Sequence, residues 1–255
     1  MNLTIDKIEN IVREASAIFA EPFSIEQKGG FANIVTSADL GVQDFLISHL
    51  RELLPGCGFL CEEKDVADKE RDYVWIIDPI DGTANYARHN VGCAICVGLK
   101  DPEGMLMSVV YMPWLDKMYT AERGKGAYMN GQRIHVSDRE FSNAVLCTAL
   151  PVYHKEHAEE CSRIIVETFR QCNDIRRLGA AAPEMCCIAA GQFELYFEYL
   201  LSPWDFAATS LIVTEAGGHI CKPNGEPLNV TEPSGVVVAN TEPNLRRLLQ
   251  IITSS

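Results

Sequence analysis

The chain has 255 residues, 47% of them hydrophobic and 22% charged, which is enough for a sizeable core in one large domain or two intimate lobes. Its formal charge of −13 argues against nucleic acid or an anionic membrane as the main ligand, but not against a phosphate held through cations. No apolar run is long enough to span a bilayer, and the start Met1-Asn-Leu-Thr-Ile-Asp-Lys7 is amphipathic with no signal peptide, so the expectation is a cytoplasmic protein with no membrane partner.

In chain order, Ile5, Ile8, Val12, Ala15 and Phe19 recur at helical spacing and predict an amphipathic helix that ends before Pro22. Lys28-Gly-Gly-Phe-Ala-Asn33 reads as a flexible loop. Thr36 or Ser37 then caps a second helix with Leu40, Phe45, Leu46, His49, Leu50 and Leu53 inward. Taken alone, Asp39 is a first-turn acid that complements the helix dipole. Gly58-Phe59-Leu60 is a short strand running into Glu62-Glu63, and Lys64 to Asp72 is a solvated charged loop. Cys93–Leu99 and Met105–Tyr111 are strands joined by the turn Asp101-Pro-Glu-Gly104. Strands at 118–121 and 126–129 follow, and Asn130-Gly131 is a hairpin turn. The first half therefore reads as two helices followed by an antiparallel meander.

A boundary falls near 136–143. Beyond it, Ala144–Leu150 is a strand, and His157–Phe169 a helix with Cys161, Ile164, Ile165, Thr168 and Phe169 inward. Ala180–Ala190 is an Ala-rich helix and Phe193–Leu200 a strand. Pro203 starts a helix that Gly217-Gly218 stops. Short strands and a closing helix from Pro243 to Ile252 complete a half with a mixed sheet. His154-Lys-Glu-His157 is not a metal motif. The ten cysteines are scattered, mostly in apolar runs, and the offset of Cys93 and Cys96 points them to opposite faces of a strand. Reduced thiols packing as small hydrophobes in a reducing compartment are expected.

The chemistry concentrates at Val74-Trp-Ile-Ile-Asp-Pro-Ile-Asp-Gly-Thr83. An apolar run, a buried strand by its pattern, ends in Asp78, and Pro79 is expected to stop it. Asp81 lies one tight turn away. Like charges 4 Å apart repel by about 4 kcal/mol at an effective dielectric near 20. A hard divalent cation removes that problem, and Mg²⁺ favours carboxylates, carbonyls and water. Gly82-Thr83 opens a helix whose free N–H groups suit a phosphate. Asp205, taken alone an N-cap or first-turn acid, completes with Glu62, Asp78 and Asp81 a four-carboxylate set of the size that two-metal phosphoryl chemistry needs.

At this point the chain resembles the inositol monophosphatase family of Mg²⁺-dependent, lithium-sensitive phosphomonoesterases. Trp75-Ile-Ile-Asp-Pro-Ile-Asp-Gly-Thr83 is similar to its first signature. Trp204-Asp-Phe-Ala-Ala208, continuing to Thr214-Glu-Ala-Gly-Gly218, is similar to its second. Ile34–Asp39, Glu62-Glu63 and Lys117–Ala127 match in order. The resemblance spans nearly the whole chain. It implies an α+β protein, a layered αβαβα sandwich of the sugar-phosphatase type with one mainly antiparallel and one mixed sheet. An N-terminal lobe over residues 1–140 would carry most metal ligands. A C-terminal lobe over 141–255 would carry Asp205 and the substrate-pocket residues.

The resemblance further implies that Glu62, Asp78 and the Ile80 carbonyl hold one Mg²⁺, and Asp78, Asp81 and Asp205 a second, with a third near Glu62. Gly82 and Thr83 amides would hold phosphate. Thr83 and Asp39, with Glu62, would activate water. Asp81, Gly179, Ala180, Ala181 and Glu198 would face the substrate. The implied activity is inositol-1-monophosphatase, releasing phosphate by metal-activated water attack, from a homodimer. The same chemistry on fructose 1,6-bisphosphate, NADP(H), a nucleotide 3′-phosphate or histidinol phosphate is the alternative. Cys61, Asn33, Ala84 and Arg88-His89 depart from the family pattern without removing a ligand. A haloacid-dehalogenase reading fails because its acids stand two apart at the first strand. A protein-binding scaffold with dispensable catalysis would be favoured by a lost ligand, and none is lost.

Overall fold

The computed structural model describes residues 3–29, 33–63 and 70–254. Gly30 to Ala32 of the expected loop and 64–69 of the charged loop lie outside them. Two sheets and three helical layers alternate. The larger sheet has seven strands in the order β3-β4-β5-β6-β7-β8-β9. These are β3 (Gly58–Cys61), β4 (Val74–Asp81), β5 (Ala94–Asp101), β6 (Gly104–Met112), β7 (Lys117–Glu122), β8 (Gly126–Met129) and β9 (Gln132–Ile134). All neighbouring pairs are antiparallel except β3 with β4, which run parallel, so the predicted meander starts one strand later than expected. The smaller sheet is mixed: β10 (Val145–Thr148) is parallel to β11 (Asp174–Arg176) and to β12 (Leu195–Leu201), while β14 (Ser234–Ala239) is antiparallel to β12 and to β13 (His219–Cys221).

The period of two along each strand decides the layers. Trp75, Ile77, Ile95 and Val97 face α1 (Ile5–Ala15) and α2 (Ser37–Leu53) in one core. Val74, Ile76, Ala94 and Cys96 face the other way, into a second core shared with α5 (Ala181–Ala189), α6 (Pro203–Glu215), Tyr196, Val236 and Val238. Leu195, Phe197, Val237 and Ala239 turn outward to a third core under α4 (Ala158–Phe169) and α7 (Glu242–Thr253). The order is αβαβα. Helix α5 is buried along its whole length, as a helix between two sheets must be. Cys93 and Cys96 do fall in opposite cores, and all ten cysteines are free thiols.

Several local expectations are corrected. Pro79 does not end β4, which runs on to Asp81. Pairing with β5 passes from Asp78↔Cys96 to Asp81↔Ala94, so two residues of β4 stand against one of β5. A bulge absorbs the proline, whose missing N–H is tolerated there. The helix after Gly82 is a single turn, α3 (Thr83–Tyr86). The Gly-rich loop is flanked by an unforeseen hairpin, β1 (Ile25–Gly29) with β2 (Asn33–Thr36). On α2 the buried stripe is Ala38, Val42, Leu46 and Leu50, and Leu40 faces solvent. Phe169 on α4 is exposed as well. No helix among the described residues is long and apolar enough to cross a membrane.

Candidate active site

The bulge in β4 sets the site. Ile80 N–H donates to Asp78 Oδ1 at 2.9 Å, a turn that an aspartate closes on its own backbone. This holds Asp78 and Asp81 on the same rim. Asp205 reaches the rim from the start of α6, where Ser202 N–H donates to its Oδ2 at 2.7 Å. Carboxylate oxygens of Asp78, Asp81 and Asp205 all lie within 4.8 Å of one another. Asp78 and Asp81 are buried and Asp205 is half-buried.

Burial is the largest cause pushing the carboxyl of Asp78 well above the usual range, and the charges acting on it are Glu62, Asp81, Asp205 and Asp39, all carboxylates. Asp205 is raised by burial first, then by Asp81 and Glu62. Asp81 is also raised by burial, against a lowering hydrogen bond from Ala182 N–H to its Oδ2 at 2.6 Å. Glu62 therefore lies close enough to act on both Asp78 and Asp205, although its oxygens are not in the tight triad. Among the described residues no Lys, Arg or His forms an ion pair with Asp78, Asp81 or Asp205. Such a donor set, hard, anionic and without a cationic partner, fits divalent cations that take oxygen ligands.

Asp39 arrives from α2 by the same device as Asp205: Thr36 N–H donates to its Oδ2 at 2.7 Å, while its other oxygen accepts from Thr83 Oγ1 at 3.1 Å. Thr83 Oγ1 is also 3.1 Å from the Ile80 carbonyl. Both helices thus spend a capping acid at the cleft, and Asp39 is far more than a dipole partner. Gly82 has φ +86°, and a Cβ there would lie 2.8 Å from Ala180 Cβ and from the Gly92 carbonyl. Only glycine lets α3 and the start of α5 close on each other here. The first amides of α3 have no acceptor within the helix.

Glu198 sits on β12, half-buried, and accepts from Tyr196 Oη. Burial pushes it up to about 7, while the Tyr196 bond and Arg177 act the other way. Gly179 has φ +88° and precedes Ala180 and Ala181, both buried, at the start of α5. Sequence reasoning passed over Asn85, Glu184 and Glu215. Glu215 takes Gly124 N–H and Gly126 N–H at 2.7 Å each and ties α6 to the β7–β8 turn. Glu184 is the one acid inside Ala181-Ala-Pro-Glu-Met-Cys-Cys-Ile-Ala189, and an acid alone in an apolar run was the signal for a buried polar role.

An αβαβα sandwich with an acid triad gathered at the bulge of its mainly antiparallel sheet has a fold of the sugar-phosphatase class. The model of the inositol monophosphatase family matches residues 2–255. The Nus factor SuhB of Vibrio cholerae is 34% identical over 235 residues, 91% of this chain and 87% of that protein. An IMPase of Thermotoga maritima superposes with a TM-score of 0.86 at 27% identity, over 97% of this chain and 96% of that one. SaIMPase-II bound to inositol monophosphate superposes with a TM-score of 0.82 at 25% identity, over 97% and 93%. The chain belongs to the inositol monophosphatase family.

Proposed function

We propose that this protein is a Mg²⁺-dependent phosphomonoesterase acting on a phosphorylated polyol, with inositol 1-phosphate the first candidate. The observation that carries the reading is the triad of Asp78, Asp81 and Asp205 with oxygens within 4.8 Å and only carboxylates acting on Asp78. In this reading Glu62, Asp78 and the Ile80 carbonyl hold one Mg²⁺, Asp78, Asp81 and Asp205 a second, and a third lies near Glu62. Bound there, the ions offset the charge of the dianionic ester and supply Lewis acidity.

The chain's own groups do the rest. Gly82 and Thr83 amides meet the phosphate oxygens. Thr83 Oγ1, bonded to Asp39, orients the attacking water and passes its proton to that carboxylate. Attack is in line, with no phosphoenzyme. Gly179, Ala180 and Ala181 line the polyol, and Glu198, oriented by Tyr196, accepts from its hydroxyls. The inositol monophosphate held by the relative at 25% identity supports a polyol. Residues 1–140 supply most of the cation ligands and 141–255 the polyol wall, in a homodimer.

The test is phosphate release from inositol 1-phosphate, fructose 1,6-bisphosphate, NADP, a nucleotide 3′-phosphate and histidinol phosphate, with Mg²⁺ and with or without Li⁺. Turnover of the inositol ester ahead of the others, inhibited by Li⁺, is the expected result; no Mg²⁺-dependent release from any of them overturns the reading. A protein-binding role is favoured by one observation, the name Nus factor carried by relatives at 34–35% identity. It predicts partner binding that survives loss of the triad.

A further inference from the structure

Glu184 is 1% exposed and lies one turn into α5, in a helix whose other residues are Ala, Pro, Met, Cys and Ile. An isolated carboxylate in such a place is costly. Its Oε1 accepts from Leu178 N–H and from Gly179 N–H, the latter at 3.0 Å. On the other side of the same turn, Asn85 Nδ2 donates to the Leu178 carbonyl at 2.9 Å and to the Gly92 carbonyl. There is no slack: a Cβ on Gly92 would lie 3.0 Å from Asn85 Nδ2, and one on Gly179 3.3 Å from it. Four residues on, Ala182 N–H is held by Asp81 Oδ2. The peptide groups from Leu178 to Ala182 are thus fastened by three side chains from two distant parts of the chain, and Gly179 to Ala181 lie between the fastenings.

We propose that Glu184 is a positioning residue that fixes the Leu178–Gly179 turn, and through it the polyol wall of the pocket, by accepting both amides. The inference rests on the phosphatase reading for what that wall touches. Burial pushes the Glu184 carboxyl up to about 8, against the lowering pull of those two amides, so a neutral side chain with the same acceptor atom is a fair substitute.

Glu184→Gln keeps the Oε1 acceptor and Glu184→Ala removes it. With inositol 1-phosphate and Mg²⁺, Glu184→Ala should raise KM on the order of ten-fold, as expected for losing two ordinary hydrogen bonds. Its kcat should stay within about two-fold, and the Mg²⁺ concentration for half-activation should not move. Glu184→Gln should behave as wild type within about two-fold. Asn85→Ala, which frees the Leu178 carbonyl from the opposite side, should also raise KM, and it carries the test if Glu184→Ala does not fold. An unchanged KM in folded Glu184→Ala, or a Glu184→Gln as impaired as the alanine variant, overturns the proposal. If wild type releases no phosphate from any ester, the functional reading fails by itself. Hydrogen exchange of the 176–182 segment then decides the latch: faster in Glu184→Ala alone supports it, and equal in all three proteins overturns it.

Discussion

Two regions of the molecule are rich in charge and differ in how it is balanced. The groove between α4 and α7, about 690 Å³, is lined by Glu159, Arg163, Glu167, Arg170 and Arg247 among others. Its charges are exposed and answered locally: Arg170 meets Glu167 at 3.1 Å, and Arg163 donates to the carbonyls of Ile251 and Ile252. The cleft at the β4 bulge has the opposite character. Asp78, Asp81 and Asp205 there are buried or half-buried, converge within 4.8 Å, and among the described residues have no ion pair with a basic side chain. The groove is thus a solvated surface whose charges meet partners nearby, and the proposed chemistry lies where carboxylates are concentrated, dehydrated and, for Asp78, Asp81 and Asp205, without a basic partner among the described residues.

The strongest way to break this contrast is Asp78→Asn. A partner that merely supports a ligand typically costs 10–100-fold, so loss of Asp78 should cut Mg²⁺-dependent phosphate release by at least on the order of 10²-fold. The same variant removes one buried charge from among like charges. In chelator its Tm should therefore equal or exceed that of wild type, and a fall of several degrees would contradict the electrostatic picture. Next in size is the cation itself. Mg²⁺ at a hundred times its Kd should stabilise the wild type by about 2.7 kcal/mol, read as a rise in Tm, and Asp205→Asn should blunt that rise.

A smaller effect follows from pH in chelator. Burial holds Glu198 at about 7 and Glu184 at about 8, above their ordinary value of 4.5. The folded state therefore keeps protons that the unfolded chain gives up. Their contribution to stability is full below about pH 4.5 and is lost as pH rises through 7 to 8. Thermal melts from pH 6 to 9 should fall across that window, less so in Glu184→Gln. Last, Arg170→Ala in the α4–α7 groove should leave phosphate release untouched and change stability by less than about 1 kcal/mol, as for exposed pairs generally.

Much of this was readable before the structure. The apolar run Val74-Trp75-Ile76-Ile77 already implied a buried strand, and the Asp78, Asp81 and Asp205 motifs already pointed to one cluster of carboxylates. The misses have physical causes. Pro79 was read as a stop because the rule for a regular ladder says nothing about a bulge that takes in the proline itself. Leu40 and Phe169 were placed inward because helical spacing fixes a stripe only to within a residue at its edges; packing buries Val42 rather than Leu40, and on α4 the buried stripe ends at Thr168. Glu184 stood out only as an acid alone in an apolar run, and what it and Asn85 hold was not readable because their partners are backbone groups: Leu178, Gly179 and Gly92 offer no side chain that would announce a bond.

The bond from Ala182 N–H to Asp81 carries one more consequence. A single carboxylate both faces the proposed ions and anchors the first turn of a helix that starts one hundred residues later in the chain. Draining the cleft of metal would therefore do more than silence it. The acid left behind tends to pick up a proton, its grip on that amide weakens, and the seam between the two sheets loosens, so a chelated sample should become easier for a protease to open near α5 before it unfolds.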